Sequence, residues 1–255
     1  MDFMTIIGLL GAISSLYYVM QTGGVTDLLL NREAFILVFG GTFFCILISY
    51  PWRLLKKLPM GVLMMLFPPK TYDPERLIPI IVGLADKAKR DGISSLQEEL
   101  VRIDEIFLRD GIQMVIDRVN PDILRDNLNK EIHFTRERHE EVGGIFRIMG
   151  TYSPVFGLLG TLIGVVQVLK NLSDPKSLGA SMAIAVTTTF YGIFGANFIF
   201  LPICTKLQVL SERELLLKEV AIEGILSLQN GDIPLVVNQK LKAYLAYKLR
   251  LEAAT

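Results

Sequence analysis

Four stretches of the chain are free of charge from end to end, and apart from Asp2 every charge lies in the segments between and after them. Phe3 to Thr26, Ala34 to Trp52, Ile148 to Leu169 and Ser177 to Thr205 contain no Asp, Glu, Lys or Arg. Each is long enough to cross a hydrocarbon core of roughly 30 Å, which takes about 20 helical residues. One such run reads equally well as a buried core helix; four in 255 residues predict a polytopic membrane protein. The first run lacks a basic n-region and a small-x-small cleavage pattern, so it reads as a retained span rather than a secretion signal.

Between the second and third runs the pattern becomes amphipathic. "RLLKKLPMGVLMMLF", residues 53–67, sets basic residues against Leu, Met and Phe. It fits a helix lying in the membrane interface and, equally, an amphipathic packing helix. "DPERLIPIIVGLADKAKRDG" predicts a helix closed by Gly92. "SSLQEELVRIDEIFLRDG" opens on a capping box, Ser95 to Glu98, and predicts a helix that stops at Gly111. In "NPDILRDNLNKEIHFTRERHEEVGGIFRIMG", Asn120 is the cap and Pro121 the first-turn proline. Ile123, Leu124, Leu128 and Ile132 give that helix an apolar stripe. No stretch alternates as a strand does. The expected fold is all-α, a polytopic membrane protein with four transmembrane helices and a helical cytoplasmic domain. The chain divides into the first two spans (1–52), a cytoplasmic domain with the interfacial helix (53–147), the third and fourth spans (148–206) and a helical tail (207–255).

Composition agrees with the membrane class: 51% of residues are hydrophobic and mean hydropathy is +0.44. A formal net charge of zero leaves no basic footprint for nucleic acid. Lys and Arg are sorted by segment. Sixteen lie between Arg53 and Arg147, seven from Lys206 onward, and only Arg32, Lys170 and Lys176 in the two short connections. The positive-inside rule therefore places the long middle segment, the tail and both termini in the cytoplasm. Cys45 and Cys204 fall inside spans, where each reads as a small apolar packing residue without a disulfide.

Candidate enzyme chemistry is sparse. The two histidines, His133 and His139, are six apart on a charged helix, off the i, i+4 spacing of helical metal ligands, and read as a solvated face. Phosphate loops, nucleophile elbows and HExxH are missing from the sequence. The expectation is a protein that is not an enzyme and carries neither metal nor cofactor.

The third and fourth runs hold the unusual pattern. Residues three and four apart share a helix face, which aligns Gly150, Pro154, Gly157, Thr161 and Gly164 in one and Ala185, Thr189, Gly192 and Ala196 in the other, with Thr187 and Thr188 alongside. Small residues let helices approach closely, so packing alone can account for both stripes. Thr161 falls roughly 20 Å and Thr189 roughly 25 Å from the cytoplasmic ends of their spans, so their hydroxyls can meet near mid-bilayer. Hydroxyl and carbonyl oxygens suit a hard cation. Ion-coupled membrane machines hold their ion on an intramembrane carboxylate, and these spans have none. The acid must then come from another chain, whose helix would fit the glycine-lined groove.

"SPVFGLLGTLIGVV" and "TTTFYGIFGANFIFLP", with four spans and a charged segment between the second and third, resemble the MotA/PomA family of flagellar stator subunits. The more distant TolQ/ExbB energisers have three spans and supply the alternative, a proton-driven unit acting on an envelope protein. The resemblance implies a bacterial inner-membrane protein of motility and chemotaxis, forming a homopentamer around a MotB/PomB-type partner that supplies the ion-binding Asp. Ion flow would turn the ring against the rotor protein FliG. Thr161, Thr189, Thr188, Gly157, Gly164, Gly192 and Ala185 would line the ion path or face the partner. Pro154 and Pro234 match the family's conformational prolines. The family's rotor motif aligns on Gly92 and Leu96, where Lys89 and Gln97 take its charged positions; Arg90 and Glu98, each one residue later, are carried over as rotor-interacting. Threonine at position 161 favours Na⁺ as the transported ion, with H⁺ as the alternative.

Overall fold

The computed structural model describes residues 3–68, 74–170 and 175–252, and every regular element in them is helical. Helix α1 is Phe3–Thr22, and α2 and α3 are the short turns Thr26–Leu29 and Arg32–Phe35. The second span continues from α3 through a π-helical turn, Ile36–Gly40, into α4, Gly41–Ser49. Then come α5 (Trp52–Leu55), α6 (Leu58–Leu66) and α7 (Pro74–Asp91). Two 3₁₀ turns, Ile93–Glu98 and Leu100–Arg102, lead to α8, Ile106–Ile116. Helix α9 is Pro121–Lys170 and α10 is Pro175–Phe194; a second π-helical turn, Gly195–Phe200, joins α10 to α11, Leu201–Gln229. Helix α12, Pro234–Glu252, follows. Four of these helical stretches are long and apolar enough to cross a membrane: Phe3–Thr22, Arg32–Ser49, Pro121–Lys170 and Leu178–Gln229.

Compactness groups the chain into two units, residues 1–69 with 139–209 and residues 70–138 with 210–255. Residues 53–69 and 139–147, which the sequence groups with the cytoplasmic domain and its interfacial helix, fall in the first unit. The reason is packing: Gly61 on α6 is buried beside Val142 and Phe146 of α9. The core of this unit gathers Ile46, Leu55, Met65, Ile145, Phe146, Met149, Phe200 and Ile203. The phenyl ring of Phe156 seats on Gly41, where a Cβ would lie 2.5 Å from the ring. Helix α1 buries none of its residues.

The second unit is built on a separate aliphatic core that includes Leu77, Ile81, Leu96, Phe107, Ile112, Leu124, Leu128, Ile225 and Leu241. Gly92, at φ +84°, ends α7 as expected. Asn120 begins α9 by accepting from the Asp122 N–H at 2.9 Å. The helix expected over 95–111 is not formed. Ser95 donates its hydroxyl to Gly92 O instead of capping, and the next helix starts only at Ile106, with the Glu105 carboxylate accepting from Leu108 N–H. Gly111 is then interior to α8, where the Ile225 side chain occupies the room a Cβ would need. Of the stripe on α9, Leu124, Leu128 and Ile132 are buried, but Ile123 is 55% exposed; one helical position rotates it about 100° off the buried face.

Candidate ion site between the third and fourth spans

The third and fourth spans meet along their glycines. At Gly157 an added Cβ would lie 2.9 Å from Thr188 O and 3.2 Å from the Cα of Gly192. At Gly164 it would lie 2.6 Å from the Ala185 Cβ, and at Gly192 2.8 Å from Ser153 O. Gly160, which the stripe pattern did not single out, faces the Thr188 side chain in the same way. Backbone against backbone at this distance is what small residues permit. Gly157, Gly164, Gly192 and Ala185 are buried in contacts between two helices of this chain.

Hydrogen bonds stitch the same seam. Ser153, fully buried, donates to Gly192 O at 3.0 Å. Thr188, also fully buried, donates to Ala185 O at 3.0 Å, and Thr187 to Leu28 O at 3.1 Å. These two threonines are turned into the protein. Ser153 was missed because a lone serine beside a proline carries no periodic signal.

Thr161 and Thr189 differ: both are half-buried, and their hydroxyls hydrogen-bond to one another across the seam. Thr161 Oγ1 also lies 3.0 Å from Ala185 O and 3.2 Å from Gly157 O. Two hydroxyls carry two protons and four lone pairs. Thr189 Oγ1 lies 3.5 Å from Ala185 O as well, and either hydroxyl can donate across the pair, so two hydroxyl and two carbonyl oxygens gather here. The site therefore presents acceptor oxygens, the ligand type that a hard monovalent cation needs in place of its water.

Around this point the backbone departs from regular α-helix. Pro154 has no N–H to give to the carbonyl one turn back at Gly150, yet α9 runs through it. The π-helical turn Gly195–Phe200 ends two residues before Pro202, and a local π adjustment is one way a membrane helix carries a proline. Asn197, exposed in that turn, donates its amide to Ile193 O at 3.0 Å.

The charged candidates lie in the second unit. Arg90 is paired at 2.5 Å with Asp86, one turn earlier on α7, and its side chain is 69% exposed. Glu98 ends the first 3₁₀ turn with its side chain 85% exposed. Lys87 gives its strong bond to Glu99 at 2.7 Å and reaches Glu98 only at 3.6 Å. That hydrogen bond holds the Glu99 carboxyl below its ordinary range and the Lys87 ammonium above its own. Glu98 is thus left with only the longer contact, and Lys89 is exposed on α7. Pro234 opens α12 just past a turn with Gly231 at φ +72°. An ion pair between Asp232 and Lys240, 2.7 Å, clamps that turn. Hydrogen bonding to Lys240 is the main reason the Asp232 carboxyl sits below its usual range.

The histidines stay on the charged face, with His133 Nε2 3.3 Å from Glu137. Among the described residues no three His, Cys, Asp or Glu are gathered as metal ligands.

Comparison with known proteins completes the picture. Residues 99–220 match the MotA/TolQ/ExbB proton channel family. The chain is similar to the chemotaxis protein PomA of Vibrio alginolyticus, 34% identical over 96% of each chain. It is 33% identical to motility protein A of Bacillus subtilis (strain 168), over 100% of this chain and 94% of that one. The flagellar MotAB stator complex from Bacillus subtilis superposes with a TM-score of 0.88 at 33% identity over 98% of both chains. MotAB of C. jejuni superposes at 0.87 with 25% identity over 96% of each. With that identity sustained from end to end, the chain belongs to the MotA/PomA family, the channel-forming subunits of the flagellar stator, which are motor components rather than enzymes.

Proposed function

We propose that this chain assembles as a homopentamer with a MotB/PomB-type partner, and that Na⁺ passing between them turns the ring against FliG. One observation carries the ion site. Two half-buried hydroxyls, Thr161 and Thr189, meet in spans that contain no carboxylate. They can replace part of the shed hydration of a cation but cannot hold it by charge. A partner aspartate supplies the missing charge, and the half-open side of the threonine pair is where it approaches. Na⁺, which must exchange water for oxygen ligands, gains more from two extra hydroxyls than H⁺ does. The distribution of Lys and Arg supports cytoplasmic termini and middle segment.

The test is swimming speed of a stator-less bacterium given this chain and its partner, with external Na⁺ varied at fixed pH. Speed that rises with Na⁺ is expected. Speed indifferent to Na⁺ replaces Na⁺ with H⁺ and leaves the rest of the proposal standing.

The rotor face is the exposed charge of the second unit, Lys89, Arg90 and Glu98. Surface ion pairs such as Arg90–Asp86 are worth little to stability, about 0–1 kcal/mol, so charge reversal there leaves the fold intact. Arg90→Glu combined with Glu98→Lys is expected to reduce torque while ion flux and ring assembly persist. Loss of the assembled ring in that variant would assign these residues a structural role instead.

A further inference from the structure

The segment after the second span carries two apolar faces, and the protein uses only one. On α6, Leu58, Gly61 and Met65 turn inward. Gly61 is buried, with Phe146 Cε2 3.0 Å and Val142 Cγ1 3.1 Å from where its Cβ would be, and Met65 is 9% exposed. Two positions on and about 200° round the helix stand Met60 and Leu63, with Phe67 just past its C-terminal end. These are 52%, 49% and 51% exposed. Trp52, at the start of α5, is 64% exposed.

The same segment is cationic. Residues 52–67 hold Arg53, Lys56 and Lys57 and no acid. Lys57 lies 3.4 Å from Glu141. Lys56 stands over the Trp52 ring, 5.9 Å from its centre. Among the described residues neither Arg53 nor Lys56 has a carboxylate within ion-pair distance. The segment begins three residues past Ser49, the end of a span. That is the depth at which Trp rings and basic side chains meet lipid headgroups.

We infer that residues 52–67 are an anchoring site for anionic phospholipid, of the phosphatidylglycerol type. Met60, Leu63 and Phe67 enter the acyl-chain boundary, while Arg53 and Lys56 hold the headgroup phosphate near Trp52. Charge complementarity selects the occupant: apolar contact alone accepts any bilayer lipid, and two cations without a carboxylate among the described residues favour an anionic headgroup. The inference stands on membrane insertion and not on the stator reading, so its failure would leave that reading untouched.

Trp52 is the single tryptophan and reports on this site directly. The full chain is reconstituted in phosphatidylcholine–phosphatidylglycerol liposomes in which one or the other lipid is brominated, at equal mole fraction. Brominated phosphatidylglycerol is expected to quench Trp52 roughly three- to tenfold more effectively than brominated phosphatidylcholine. An R53Q/K56Q variant, changed only at exposed positions, is expected to remove that preference while retaining quenching by both lipids. Trp52→Phe supplies the baseline. Equal quenching of the unaltered chain by both lipids would overturn headgroup selection. Quenching by neither would mean that protein, such as a second copy of the chain, covers the face, and would overturn the site altogether.

Discussion

Gly192→Ala is expected to push the third and fourth spans apart, and Gly192→Leu to prevent recovery of folded protein. The new Cβ would lie 2.8 Å from Ser153 O and 3.1 Å from the Cα atoms of both Gly157 and Pro154. All three obstacles are backbone, so no side-chain rotation relieves them, and one whole helix must move. Overpacking of a close-fitted interior costs typically about 1–3 kcal/mol. Moving the helix also stretches the bond from Ser153 to Gly192 O and draws Thr161 away from Thr189. A fall in Tm in detergent of roughly 2–10 °C is therefore expected for the alanine variant, together with loss of motility. Gly8→Ala in α1, where nothing lies within 4 Å, is the matched control. If the two variants melt together, the close approach of these helices is not what holds the pair.

Thr189→Val is expected to do the reverse, sparing the assembly and disabling ion transit. Valine keeps the shape of threonine and replaces the hydroxyl with a methyl. The helices keep their fit, since the seam itself is made by Gly157, Gly160, Gly164 and Gly192. What disappears is one of the two hydroxyl oxygens that meet at the site. Hydrogen bonds and ligand contacts to charged groups are worth about 1.5–3 kcal/mol, which corresponds to roughly tenfold or more in apparent ion affinity. Swimming at a given Na⁺ concentration should drop accordingly and recover in part at higher Na⁺. Thr188→Val, at a fully buried hydroxyl that donates to Ala185 O, should alter stability more than ion dependence. Near-normal torque at low Na⁺ in Thr189→Val would reduce the Thr161–Thr189 contact to packing.

The four spans and the pairing of Thr161 with Thr189 were legible in the sequence because both follow from long-wavelength signals. Charge-free runs set the spans, and rise per residue sets the depth of a hydroxyl within them. The glycine stripes were legible as surfaces of close approach but not as to what approaches. A sequence shows which face is bare; only the fold shows that Thr188, Ala185 and Ser153 of the same chain already fill it. The segment 95–111 failed for a local reason. A serine three residues before a glutamate satisfies the capping-box pattern, yet Ser95 turned back to Gly92 O, a competing bond that Ser, Thr, Asn and Asp side chains make readily. The division of charged groups between paired and projecting was also hidden. Lys87 chooses Glu99 over its neighbour Glu98, and that choice rests on tertiary distance.

Helix α1 stands apart from all of this, since none of its residues is buried. Its sequence answers to the bilayer and to neighbouring subunits rather than to this chain's own interior. Substitutions there are filtered by hydropathy and not by shape, so α1 is the span with the most freedom to drift. A lineage could retune how this chain meets lipid or its neighbours through this one helix, leaving the glycine seam and its threonines untouched.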